Sequence, residues 1–309
     1  MADMTFTTSN YAGTAAVPFV APAILSADTI ANGYCSVLEN VRYKTNLRKI
    51  SGGTVEARSC DFAANGSLDI SDVQLTLTEL QVNEEICNHE LAQTWAAEQM
   101  RGNYAAVPGD YEQFLAQYVA ARVAEDVEKN IWSGKYNSTT GATTGGGAGT
   151  LFDSIMSAYV AGAGTHETTV TGAFTNATID DRLATLVADL PDALIGDPNT
   201  KIYMSRKSFQ LYFQFLAAGD NNPVLATQMA KFYLGYEIIT PAGFPDDTLL
   251  ASRVDNLYFG TNVLTDHVEA RFIDLRNTTG ADLTRILMMF DGGTQIVDEA
   301  SAACVRRSA

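Results

Sequence analysis

The stretch DYEQFLAQYVAARVAEDVEKNIWS, residues 110–133, decides how the rest of the chain is read. Its apolar side chains, Tyr111, Phe114, Leu115, Tyr118, Val119, Val123, Val127 and Ile131, recur in steps of three and four. That spacing lays one broad apolar stripe along a helix. Glu112, Gln113, Glu125, Asp126, Glu128 and Lys129 take the remaining surface. Asp110, after Pro108 and Gly109, stands as N-cap with Gln113 three positions on, a capping-box spacing. Gly134 follows Ser133 where a left-handed C-terminal cap favours glycine. At ~1.5 Å per residue the helix is roughly 36 Å long, a strut rather than an ordinary three-turn helix.

Upstream of the strut the periodicity changes. Val41, Tyr43, Thr45 and Leu47 alternate with Arg42, Lys44, Asn46 and Arg48, the period-two pattern of a strand. After a polar, glycine-bearing stretch a second alternating run uses Leu68, Ile70, Val73, Leu75, Leu77, Leu80 and Val82. Its frame slips at Ser71-Asp72 and again at Thr78-Glu79, as β-bulges would make it do. The two runs predict a hairpin arm with about 18 residues a side, reaching roughly 60 Å when fully extended. A chain of this size has a radius of gyration of only about 19 Å. Such an arm lies on a neighbour or is cut short by its bulges.

Charge supports the neighbour. Arg42, Lys44, Arg48, Lys49 and Arg58 fall close together with only Glu56 of opposite sign, whereas 79–98 carries Glu79, Glu84, Glu85, Glu90 and Glu98 and no Lys or Arg. A basic arm and an acidic strip on one chain suit head-to-tail association; the alternative is a pair of solvated faces. Arg42, Lys44, Arg48, Lys49, Arg58, Glu79, Glu84, Glu85 and Glu90 are therefore the candidate contact residues between copies.

Residues 1–32 are small and Thr/Ala-rich, and Pro18 and Pro22 break helical runs, so they read as an extended arm or a disordered one. A short helix is expected over 82–101, ending at Gly102, and a flexible loop over 138–150. The stretch 151–160 reads as a short helix and 161–176 as loose. Beyond it the pattern predicts helix 179–194, strand 201–205, a helix over 206–218 capped by Ser205, strand 235–240, a turn at 241–247, and strands at 248–252 and 256–260. That order indicates a compact α/β region. Closing strands are expected at 268–276, 283–290 and 294–297, with turns at 277–280 and 291–293.

Composition narrows the function. The formal net charge of -16 argues against a general nucleic-acid grip and against an anionic membrane surface. No apolar run is long enough to cross a membrane as a helix. Cys35, Cys60, Cys87 and Cys304 show no metal-ligand or disulfide-framework spacing. His89-Glu90 begins like a zinc-protease motif but ends at Gln93, and His166-Glu167 fails likewise at Val170; His267 has no partner nearby in sequence. The glycine-rich stretch 141–149 lacks the Lys-Ser/Thr of a phosphate loop, and there is no nucleophile elbow. No cofactor, metal or catalytic set is expected, and the chain reads as a non-enzyme.

The ordered set of elements resembles the major capsid proteins of tailed phages with the Hong Kong 97-like fold. Local phrases resemble that family as well: VAEDVEKNIWSGKYN at the strut's end, KIYMSRKSFQLYFQFL in the α/β region, and NLYFGTNVLTDHVEARFIDL with TRILMMFDGGTQIV at the close. The resemblance implies an α+β fold divided into an N-terminal arm (1–40), an extended hairpin loop (41–82), a peripheral domain with the spine helix (83–177), an axial domain (178–262) and peripheral return strands (263–309). It implies hexamers and pentamers of this chain in an icosahedral virion shell, assembled in the host cytoplasm around double-stranded DNA without sequence-specific binding. Separate scaffolding and portal proteins, and a cement or decoration protein, are the implied partners; Met1 at the start favours separate scaffold over a built-in one. An encapsulin-type compartment of the same fold, an adhesive or receptor-binding module, and a hydrolase on the α/β region remain as alternatives.

Overall fold

The computed structural model describes residues 9–12, 17–52, 69–87, 108–136, 151–162, 165–218, 231–262, 269–275, 279–281 and 283–308. Among the described residues two helices precede the strut, α1 (Val17–Leu25) and α2 (Asp28–Ala31), and the strut itself is α3 (Pro108–Ser133). Along the strut Val119, Val123, Val127 and Ile131 of the expected stripe are buried, as is Trp132 from outside it, whereas Tyr118, expected inward, is exposed. Each buried side chain contributes about 1.5–3 kcal/mol over leaving it in water. The helix starts at Pro108, whose missing N–H costs nothing in a first turn, so Asp110 lies inside that turn and is not the cap. At the other end the left-handed residue is Lys135 (φ 49°), not Gly134. Glycine is needed at 134 for space, because a Cβ there would stand 2.6 Å from the Phe152 carbonyl oxygen.

The N-terminal segment is not an extended arm over its described length. Pro18 sits in the first turn of α1 and is tolerated there; Pro22 forfeits one backbone bond. Burial of Val20 and Ile24 in the strut's core offsets that loss. Strand β1 (Ser9–Ala12) pairs with β12 (Glu269–Asp274), and β2 (Ser36–Leu38) runs parallel to β11 (Leu257–Thr261). The segment is stitched into the body at three places.

Among the described residues two six-stranded sheets and a hairpin complete the architecture. In the first sheet the long strand β13 (Leu283–Ile296) is the hub, pairing antiparallel with β12, β11 and β5 (Thr78–Cys87). The second sheet has the order β6 (Glu167–Val170), β14 (Ala302–Arg307), β10 (Thr248–Arg253), β7 (Thr200–Met204), β9 (Tyr236–Ile239) and β8 (Phe232–Tyr233). Its central strands are buried on both faces. Tyr203, Leu250 and Cys304 face the core of the strut, together with α4 (Ile155–Ala161). The alternate residues Ile202, Met204, Leu249, Ala251, Ala303 and Val305 face a second core under α5 (Ile179–Ala188) and α6 (Arg206–Ala218). Ser205 caps α6 as expected, its hydroxyl accepting from the Ser208 N–H at 3.1 Å.

Several sequence expectations are corrected here. The helix expected from 82 is strand β5 as far as Cys87, and 88–101 lies outside the described residues. Part of the stretch read as loose, 167–170, is β6, held parallel to β14. The chain does not return wholly to the first sheet after 263: Ala302–Arg307 lies in the second, against β10. Strands β10 and β11, expected in one α/β unit, part at a 3-10 turn (Val254–Asn256) and enter different sheets.

The glycines at 292 and 293 do not make the expected turn but sit within β13. Gly293 lies directly opposite Gly260 on β11. The reason is a crossing. Hairpin strand β4 (Asp69–Thr76) passes into β5 here, and a Cβ on Gly293 would stand 2.4 Å from the Thr76 carbonyl oxygen. One on Gly260 would stand 2.7 Å from Leu75 Cδ2. Leu75 and Leu77, both buried, fill the notch that the glycine pair leaves. Gly293→Ala should therefore destabilise the chain by about 1–3 kcal/mol through overpacking. Gly292→Ala, whose nearest neighbour is Leu80 Cδ1 at 3.4 Å, should be near neutral. Equal denaturant midpoints for the two variants would sink this account of the crossing.

Candidate assembly surface

The hairpin is built from β3 (Lys44–Ser51) and β4 in unbroken antiparallel register, Lys44 opposite Thr76 through Ser51 opposite Asp69. No bulge occurs at Ser71-Asp72. The second expected slip is real: buried positions run 75 and 77 and then 80, where the chain leaves the hairpin for the first sheet. The described hairpin has 8 residues a side, about 26 Å at ~3.3 Å each, and the expected tip, 52–65, lies outside the described residues beyond Gly52.

Alternation gives the hairpin two different faces. Thr45, Leu47, Lys49, Val73 and Leu75 are half-buried or buried toward the chain's own body. A cleft of about 310 Å³ separates Leu47 and Arg48 from Arg253, Asp255, Tyr258 and Val297 beneath them. The base of the arm thus rests on the body of its own chain. The other face, Lys44, Asn46, Arg48, Ile50, Ile70, Asp72, Gln74 and Thr76, is exposed. Its outer end carries a directly opposed isoleucine pair, Ile50 at 63% and Ile70 at 57% exposure. Two large apolar side chains held side by side in water are the clearest mark of a contact surface here.

The sequence-predicted contact residues divide into four groups. Arg42 and Lys44 are exposed at the arm's root, and Glu79 and Glu84 are exposed along β5. Arg48 is already paired across the hairpin with Asp72 at 3.3 Å, and Glu85 with Arg285 of β13 at 2.6 Å. Lys49 is turned inward and bonds Asp298 of its own chain. Arg58 and Glu90 lie outside the described residues. Sequence reasoning missed Ile50–Ile70, because an apolar pair in an alternating strand reads as core until the register assigns it a face.

Asp298 also accepts from the Ser301 hydroxyl and from the Ala300 N–H, capping a one-turn 3-10 helix. Burial alone would raise its carboxyl, but the bonds from Lys49 and Ser301 and the Lys49 charge outweigh it and hold the group below its ordinary value. No group of metal-ligating side chains occurs among the described residues. His166 lies 3.8 Å from Asp189, and its carbonyl accepts from Tyr159 at 2.9 Å, a structural role. His89 and His267 are outside the described residues. Cys35 is buried, and burial pushes its thiol up to about 12, leaving it unreactive as a nucleophile.

No protein-family profile matches the sequence, and no curated protein matches it. Solved structures do, along nearly the whole chain, and the fold is that of tailed-phage capsid proteins. The chain is similar to a subunit of the satellite phage P4 procapsid with its size determination protein, at 12% identity and TM-score 0.62, covering 99% of this chain and 93% of that one. It is similar to the capsid of a native GTA particle at 14% identity and TM-score 0.59, covering 93% and 91%. The capsid of cyanophage P-SCSP1u matches at 10% identity and TM-score 0.54, covering 90% and 88%. The mixed α+β class expected from sequence is the observed one.

The Lys49–Asp298 contact gives a pH prediction. A carboxyl depressed in the folded state adds stability that is full above its ordinary pKa and is lost as pH falls through the lower folded value. Lys49→Met should lower the melting temperature at neutral pH and flatten the acid limb of the stability curve relative to wild type. Parallel curves displaced by a constant amount would rule the contact out as the cause.

Proposed function

We propose that this chain is the shell subunit of a tailed double-stranded DNA phage, assembling as hexamers and pentamers into an icosahedral capsid. The observation that carries the proposal is the projecting hairpin, whose outer face presents Ile50 and Ile70 to solvent while its root is seated in the glycine notch. A self-contained protein has no use for an anchored ribbon that ends in an exposed apolar pair; a copy that must cover its neighbour does. Similarity to phage shell structures over nearly all of the chain supports the same reading.

In that reading the hairpin is the extended loop lying over the adjacent subunit, α3 is the spine helix, the first sheet belongs to the peripheral domain, and the second sheet with α5 and α6 is the axial domain. Arg42 and Lys44, with Glu79 and Glu84, supply complementary charge between copies, and the isoleucine pair supplies the apolar contact. Arg48, Lys49 and Glu85 hold the arm and sheet of their own subunit instead. The chain works as a structural protein, with separate scaffolding and portal proteins and a decoration protein as partners. Net charge of -16 keeps the enclosed DNA from adhering to the shell in a sequence-independent way.

Electron microscopy of the expressed chain tests this. Ile50→Asp combined with Ile70→Asp, and separately deletion of 52–65, should leave a folded subunit by circular dichroism yet abolish closed particles. Normal shells from both variants would refute the arm's role. Shells that enclose a cargo enzyme in place of DNA would favour the encapsulin-type compartment.

A further inference from the structure

Strands β8 and β9 are joined by the two-residue turn Leu234-Gly235, with Tyr233 opposite Tyr236. Both turn residues are left-handed, Leu234 at φ 47° and Gly235 at φ 94°. Glycine, asparagine and aspartate take the first position of such a turn at least cost, and a leucine there is strained. Leu234 recovers little of that cost from its own chain, because its side chain is not packed away: it is 71% exposed. Phe232, two residues before it on β8, is 53% exposed, and β8 ends its sheet among the described residues.

A third apolar side chain stands at the same end of the sheet. Strands β7 and β9 run parallel, Lys201 opposite Glu237, so the segments that lead into them enter from one end. The 234–235 turn leads into β9, and the loop 195–199 leads into β7. That loop carries Ile195, 59% exposed, and its Gly196 N–H donates to the Tyr236 hydroxyl at 3.0 Å. Tyr236 is buried and so ties the loop to the turn, while Ile195, Phe232 and Leu234 stay in solvent.

Much of the charge at this end is settled within the chain. Arg253 pairs with Asp197 at 2.5 Å, and Lys201 with Glu237. Lys231, next to Phe232, and Asp192, three residues before Ile195, are exposed and of opposite sign. A strongly charged ligand finds little grip here, whereas an identical surface meets it without like-charge repulsion. Three such side chains present on the order of 300 Å² of apolar surface. A stable pair needs roughly 800 Å² a side. The patch is too small to hold two copies by itself and is of use where a closed ring repeats it.

We propose that Ile195, Phe232 and Leu234 form a self-contact patch through which copies of this chain meet around a rotation axis. The strained leucine is kept because only that ring buries its side chain. The inference rests on the shell reading and adds to it a contact separate from the hairpin's isoleucine pair.

Leu234→Asn separates the two roles of the residue, since asparagine suits the turn and cannot fill an apolar ring. Thermal melting of the full-length subunit at a concentration below assembly, and light scattering against concentration, read the two out. The Leu234→Asn subunit should melt at or above the parent's temperature, while the concentration at which it assembles should rise about tenfold, as losing one buried leucine contact implies. Ile195→Ser, which leaves the turn untouched, should raise that concentration as well. A Leu234→Asn subunit that melts below the parent, or assembly of both variants at the parent's concentration, would overturn the patch and leave the shell reading standing. A parent chain that stays monomeric at every concentration would overturn both.

Discussion

Everything in this chain is arranged around the need to bury both sides of one long helix end. The strut's Val119, Val123, Val127 and Ile131 are covered by α1 and the first sheet, while Trp132 reaches across to Tyr203 of the second sheet at 5.1 Å. Covering a stripe of that length takes two layers, and both are recruited from distant parts of the sequence. The N-terminal helices are drawn in for the same reason: Val20 and Ile24 are buried in the core that the strut shares with the first sheet. Removing the strut would leave two sheets with one bare face each.

Much of this was legible because periodicity reports burial directly. The strut, the helix 206–218 with its Ser205 cap, and the strand at 200–204 each carry a pattern that only one kind of element satisfies. What was hidden depends on contacts between remote residues. Pro18 and Pro22 read as breakers because sequence shows the lost backbone bond and not the buried pocket that offsets it. Glycines 292 and 293 read as a turn because a close backbone crossing and a tight reversal ask for the same residue. The edge strand β5 was mistaken for a helix past Leu80, where glutamates at Glu84 and Glu85 obscure its alternation.

The candidate contact surface was half legible. Clustered Lys and Arg on one run and Glu on another are visible in sequence, yet whether each is free is not. Arg48, Lys49 and Glu85 find partners within the subunit only because folding brings Asp72, Asp298 and Arg285 beside them. Glu128 shows the same limit in reverse, a charged residue at a polar helix position that is buried, its carboxylate accepting from Thr29 and Gly243 about a hundred positions away on either side. Spacing on one element cannot report a neighbour contributed by two others.

Strand β14 has a consequence for when the molecule can become whole. It is formed by Ala302–Arg307, about fifty residues after β10, and lies between β6 and β10 in the interior of its sheet. The strand β6 has no other neighbour in that sheet, and the inner faces of Ala303 and Val305 complete the second core. During folding, then, α5, α6 and the five other strands of this sheet hold an open slot until Ala302–Arg307 enters it, so the second core closes only when a segment remote in sequence from most of the layer has docked.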